Sequence, residues 1–255
     1  MPFTVVIPAR YASTRLPGKV LASIDGRPMV EWVWERAMAS GAQQVVVATD
    51  DQRVEAVARG FGAQVVLTRA DHVSGTSRIA EVVVDLDLPP PQVVVNVQAD
   101  EPFIAPELIS QVARALEDRP DVPMATLAQR ITSLHELTDP SAVKVVTDED
   151  GFALYFSRAM IPWPRGGVPD VELLARSSPW RRHVGIYAYR AGFVELYASW
   201  PVCELERLES LEQLRVLWQG GRIHVSEVAR PAPQGVDTPE DLERVRAIAK
   251  RHRLR

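Results

Sequence analysis

Apolar residues recur along the first half of the chain in two alternating rhythms. Short uninterrupted runs rich in β-branched residues, FTVVI (3–7), QVVVATD (44–50), QVVL (64–67) and QVVVNVQAD (92–100), predict buried strands, the last of them the longest. Between them the spacing lengthens to that of a helix. MVEWVWERAMAS (29–40) is apolar at 29, 30, 33, 37 and 38 and stops at Gly41. RVEAVARGFG (53–62), TSRIAEVVVDLD (76–87) and PELISQVARALED (106–118) follow, the last with Pro106 in its first turn. Strand and helix in steady rotation predict an α/β fold, a mainly parallel sheet covered on both faces.

From about 124 the rhythm changes. MATLAQRI (124–131), AVKVVTDEDGFALYFSR (142–158) and HVGIYAYR (183–190) predict strands, with TDEDG as the turn of a hairpin. The Pro- and Gly-rich stretch 160–182 predicts a long loop, and LERLESLEQLRVLWQGG (205–221) a single helix. RIHVSEV (222–228) predicts a strand and TPEDLERVRAIAKR (238–251) a final helix, with Thr238 as cap, Pro239 in its first turn and Asp241 bonding back. The expected organisation is one domain, its core at 1–123 and 201–255, interrupted by a β-rich lobe at about 124–200.

Composition narrows the class. The 255 residues carry a formal charge of −4 and are 46% hydrophobic, ordinary values for a globular domain and unsuited to general nucleic-acid binding. No apolar run reaches the ~18 residues of a membrane span. The N-terminus lacks the order of a signal peptide. Together these make a cytoplasmic protein the expectation. One cysteine, Cys203, excludes an internal disulfide.

Against that mildly acidic background, IPARYASTRLPGK (7–19) concentrates cations directly after the first strand. It is neither a P-loop, which needs a glycine where Ser13 stands and a hydroxyl where Val20 stands, nor a GxGxxG turn. Arg10, Arg15 and Lys19 around a small-residue turn fit a polyphosphate cradle; a solvated turn with scattered charges is the plainer alternative. In an open parallel sheet, ligands sit beyond the carboxyl ends of the strands. Two further polar clusters fall on that rim: Thr49, Asp50 and Asp51, and Gln98, Asp100 and Glu101. Asp100 is either a magnesium ligand or a strand-end cap. Asp237 reads as an ordinary helix-start residue. Ser74 and Gly75 open a helix where backbone groups could read a base edge and Arg78 could reach a phosphate. A lone His183 at a strand start is more often structural.

Taken in order, IPARYASTRLPGK, ATDD, SGTSRIAE, VQADEP, YFSRAMIPWPR, RHVGIYAYR, LESLEQLR and GVDTPEDLERV resemble segments of the 3-deoxy-manno-octulosonate cytidylyltransferase (CMP-Kdo synthetase) family over most of the chain. The first motif alone is similar to that of other sugar nucleotidylyltransferases, CMP-sialic acid synthetases included. The resemblance implies a Rossmann-like nucleotidyltransferase (GT-A-type) core with an inserted β-rich dimerisation lobe, hence a homodimer. It implies transfer of CMP from CTP to Kdo with release of pyrophosphate, and Mg2+ as cofactor. It places CTP on Pro8, Ala9, Arg10, Ser13, Thr14, Arg15, Lys19, Ser74, Gly75, Arg78 and Gln98, and the metal on Asp100 and Asp237. It places the sugar acid on Gln98, Arg158, Arg165, His183, Tyr187, Glu212 and Gln213, with Arg10, Lys19, Asp100 and Asp237 central to catalysis. Two positions depart from the family pattern: Ala99 stands where the family has glycine, and Ser77 where it has an acidic residue. A cytidylyltransferase for a related acid, 8-amino-Kdo or a nonulosonate such as sialic acid, is the alternative. A nucleotide-sugar sensor and a glycosyltransferase are weaker ones, because the triphosphate cations and both carboxylates are present.

Overall fold

The computed structural model describes residues 2–13, 16–72, 74–176, 179–228, 232 and 235–253. The chain opens with strand β1 (Phe3–Pro8), a 3-10 turn (Lys19–Leu21) and a small hairpin, β2 (Ser23–Ile24) and β3 (Arg27–Pro28). Then come α1 (Met29–Met38), β4 (Gln44–Thr49), α2 (Gln52–Gly60), β5 (Gln64–Leu67), α3 (Gly75–Asp85), β6 (Val93–Asn96) and α4 (Pro106–Glu117). The middle of the chain forms β7 (Met124–Arg130), α5 (Leu134–Thr138), β8 (Lys144–Thr147), β9 (Ala153–Ser157), α6 (Val171–Arg176) and β10 (Arg181–Arg190). It closes with α7 (Ala191–Ser199), α8 (Glu204–Glu209), α9 (Leu214–Trp218), β11 (Ile223–Glu227) and α10 (Pro239–Arg253).

The main sheet runs β11-β7-β10-β6-β1-β4-β5. Its pairings are parallel except where β10 lies antiparallel to β6 and β7, so six strands of this path share one direction. Successive residues of each buried strand feed opposite layers. Val5, Ile7, Val45, Val47 and Val95 pack against α1, α2 and α4, while Val6, Val46 and Val94 pack against α3 and α7. This double burial is why the strands read as unbroken apolar runs. α10 covers the β2–β3 hairpin through Leu242, Val245 and Ile24. Among the described residues, no helix is long and apolar enough to cross a membrane.

The segment 124–200 is continuous with this sheet. Its first and last strands, β7 and β10, lie inside it, and the β8–β9 hairpin branches from β10. Four sequence expectations need correction. The longest strand is β10, with ten residues; β6 has four, because after Val97 has given its N–H to Val6 O the chain turns away at Gln98–Glu101. α6 interrupts the expected loop at 160–182. α7 is an additional helix. The single helix expected at 205–221 is two, broken at Ser210, whose φ of 53° is left-handed.

That break is tied on both sides. Arg215 Nε donates to Glu206 Oε2 at 2.7 Å, and both side chains are buried, 7% and 9% exposed. The Arg215 guanidinium also lies over the Tyr197 ring. Arg215→Met leaves Glu206 buried without its partner and is expected to cost about 3–5 kcal/mol, read as a lowered denaturant midpoint at unchanged m-value.

Candidate functional site

Two cavities that share lining residues open at the carboxyl ends of β1 and β6. The outer one, about 390 Å³, is lined by Pro8, Arg10, Ser13, Lys19, Ser74 and Asp100 among others. The inner one, about 340 Å³, is lined by Asn96, His183, Tyr187, Tyr189, Tyr197 and Gln213 among others. Gly75, Gln98, Asp100 and Glu212 line both and form the junction.

The loop after β1 is built to lie open to the outer cavity. Tyr11 stacks under the Arg53 guanidinium at 3.4 Å, and Gly18 gives its N–H to Tyr11 O. Gly18 has φ of 70°, and a Cβ there would meet the Tyr11 ring at 3.1 Å, so only glycine suits both demands. Across the cavity, α3 begins with a capping box. Ser74 Oγ accepts from Ser77 N and Ser77 Oγ accepts from Ser74 N. Ser77 Oγ also meets the His72 ring. The serine that departs from the family pattern thus fixes the helix start. Arg10 is held there by the His72 carbonyl. Burial, and then the nearby Arg78, lower its pKa.

At the junction, Lys19 Nζ donates to Asp100 Oδ2 at 2.6 Å, to Asp237 Oδ1 at 3.0 Å and to Val236 O at 3.1 Å. Burial lowers the lysine pKa, but Asp100 and Asp237 outweigh that and the net shift is upward. Asp237 reaches this place because Val236 N donates to Asp100 O at 2.8 Å. The helix start it was expected to cap is capped by others: Thr238 Oγ1 accepts from Asp241 N, and Asp241 Oδ2 accepts from Thr238 N.

The two acidic residues after β4 are spent on support. Asp51 caps α2 and grips Arg53. Asp50 pairs at 3.2 Å with Arg78. Arg78 is wholly buried and also donates to Thr68, so it braces the site from behind and does not line the outer cavity. Ala9 is likewise fully buried, with its N–H on Ala48 O. Thr14 and Arg15 lie outside the described residues. Ala99 is buried and lines the outer cavity, so its extra methyl group borders that cavity.

The expected sugar-acid residues separate into two groups. Gln98, His183, Tyr187, Glu212 and Gln213 converge on the inner cavity. Arg158 and Arg165 do not. Arg158 Nε donates to Glu209 O at 2.6 Å and its Nη1 to Pro140 O, while Arg165 is exposed on the loop before α6. A β-bulge between Val184 and Tyr187 frees Gly185 to line the cavity. Glu101, named on the rim from the sequence, lines it too. Asn96, Tyr189 and Tyr197 also line it and were not singled out from the sequence, though the lone asparagine in VVVNV was a visible signal.

Burial disfavours charge on several groups of the inner cavity. Burial holds the Tyr187, Tyr189 and Tyr197 phenols well above their ordinary range. Burial and then Asp100 push Glu101 up to about 8, against the pull of Arg182. Burial also raises Glu212, which accepts from Thr76 Oγ1 at 2.9 Å and whose carbonyl accepts from Tyr197. Burial, and then Arg182, lower His183 to about 3, leaving a neutral ring hydrogen-bonded to Thr126 at 2.9 Å. The unfolded chain protonates this histidine near its ordinary 6.5, and the folded one does not until about 3. Its contribution to stability is therefore complete above pH 6.5 and is lost as the pH falls toward 3. Thermal melts should show the wild-type midpoint falling more steeply over that window than that of His183→Gln.

The comparisons with known proteins agree with this geometry. A family model described as "Cytidylyltransferase" matches residues 4–223. The chain belongs to the cytidylyltransferase family. It is 57% identical over 249 residues to the 3-deoxy-manno-octulosonate cytidylyltransferase of Aliivibrio fischeri, covering 97% of this chain and 99% of that one. It is also 57% identical over 247 residues to the enzyme of the same name from Pseudomonas fluorescens, covering 96% and 97%. A solved structure of CMP:2-keto-3-deoxy-manno-octonic acid synthetase complexed with CTP superposes with a TM-score of 0.90 at 43% identity, covering 99% of this chain and all of that one. The cytidylyltransferase fold expected from the sequence is thereby found.

Proposed function

We propose that this cytidylyltransferase transfers CMP from CTP to 3-deoxy-D-manno-octulosonate (Kdo), releasing pyrophosphate and activating the sugar for lipopolysaccharide synthesis. The observation that carries this is the junction. A cavity with Arg10 and Lys19 meets a hydroxyl-rich cavity at Asp100, which shares the Lys19 ammonium with Asp237. Relatives at 57% identity that carry the Kdo enzyme's name support Kdo over the other sugar acids.

In this mechanism the nucleotide lies in the outer cavity. Gly75 and the Ser74 cap face its cytidine end, while Arg10, Ser13 and Lys19 face the phosphates. The anomeric hydroxyl of the sugar acid attacks the α-phosphorus from the inner side, and pyrophosphate leaves. Lys19 and Arg10 offset the charge gathering on the leaving group. Gln98 and Glu212 border both substrates and fix their approach, the source of an advantage worth up to ~7–11 kcal/mol. Asp100 and Asp237 already share one cation, the Lys19 ammonium. Two carboxylates together with substrate phosphates are an ordinary magnesium environment. They would hold Mg2+, which when bound supplies charge neutralisation and polarisation at the α-phosphate.

The test is pyrophosphate release with CTP, Mg2+ and a panel of 2-keto sugar acids. Turnover highest with Kdo is expected; preference for 8-amino-Kdo or a nonulosonate would reassign the substrate. The same reading makes the enzyme a cytoplasmic homodimer with residues 124–200 at its contact. Trp163, Val168 and Val171 on that segment are exposed apolar residues, 54–68% accessible, which supports it. Light scattering should return twice the chain mass, and Trp163→Glu should lower it.

A further inference from the structure

The floor of the inner cavity holds two polar atoms that no described residue satisfies. Asn96 ends β6, 2% exposed, directly across the ladder from Tyr187 and so on the same face. Its Oδ1 has no hydrogen-bond partner among the described residues. Gln213, 3% exposed, sits just beyond the Ser210 break, and its Nε2 is likewise without a partner. Buried polar groups are almost always paired, and an orphan costs the full desolvation of its group. One atom is an acceptor and the other a donor. A hydroxyl is the group that offers both complements.

The walls specify the rest of the ligand. Among the described residues, no lysine or arginine lines the inner cavity, and its His183 ring is neutral. A carboxylate would find no counter-ion there, whereas a polyol needs none. The cations, Arg10 and Lys19, line the outer cavity. Taking the functional reading above as given, we propose that Asn96 determines specificity by accepting a hydrogen bond from a hydroxyl of the sugar acid's neutral polyol tail. Gln213 donates to the same tail. The sugar acid thus enters tail first, with its carboxylate toward the junction and not on Arg158 or Arg165.

Steady-state kinetics of Asn96→Leu with the sugar acid and a set of its monodeoxy analogues test this. KM for the sugar acid should rise roughly 10- to 100-fold, with KM for CTP unchanged. Wild type should reject one monodeoxy analogue by a similar factor, and Asn96→Leu should treat that analogue and the full substrate alike, because the lost contact is the same. Gln213→Met provides the same comparison independently should Asn96→Leu fail to fold. A rise of less than about threefold, or an analogue profile parallel to wild type, would overturn the assignment in favour of satisfaction by water. A wild-type enzyme inactive with every sugar acid overturns the functional reading and the assignment with it; an active wild type with unaltered variants overturns the assignment alone.

Discussion

Asp100→Asn is expected to lower kcat by about 10³-fold or more, with the fold intact and KM for the sugar acid little changed. Asp100 lies in the turn after β6, and its carboxylate is the nearer partner of Lys19, at 2.6 Å. The amide is nearly the same size, so the Val236–Asp100 backbone bond and the turn should survive. What is lost is one negative charge of the two that define the cation position. Stopped assays of pyrophosphate release across a magnesium titration should show activity that no metal concentration restores. Residual activity with an unchanged magnesium dependence would place the metal on other ligands. Chelation of the wild-type enzyme should abolish turnover in the same assay, reversibly.

Lys19→Ala should cost about 10²–10³ in kcat. Two effects add here. The leaving pyrophosphate loses a cation, and Asp100 and Asp237 lose the ammonium that separates them. Lys19→Arg should not restore the rate, because a planar fork cannot replace a compact ammonium between two carboxylates and a carbonyl. Since the carboxylates raise the lysine's pKa, Lys19 stays charged across the whole neutral range. The pH–rate profile should therefore show no descending limb from this residue below its ordinary 10.5. Such a limb at lower pH, absent from Lys19→Arg, would show that the two carboxylates do not stabilise the ammonium.

The strands of the core were legible because both their faces are buried, which leaves no polar alternation to confuse them. The same property misled at β6. Val97 and Ala99 are buried beyond the end of the ladder, so the apolar run marks burial and overstates pairing. The leucines at 205, 208, 211 and 214 imitate one helix face, and nothing in a serine announces the left-handed turn that divides it. α7 hides because AGFVELYAS is apolar nearly all round. Lys19, Asp100 and Asp237 were named from motifs, but the ammonium between the carboxylates depends on a backbone bond across the fold. Arg158 shows the converse limit. A guanidinium has five donors, and no sequence pattern reveals that backbone carbonyls have taken two of them here.

The bond from Val236 N to Asp100 O joins residues far apart in the chain, and it is made only after the last strand, β11, has ended at Glu227. On the ribosome, every strand of the sheet exists before Asp237 has been added, at roughly 5–20 residues per second. The second carboxylate is therefore among the last groups of the site to be synthesised, and the cation position is completed only when the chain end folds back onto Asp100.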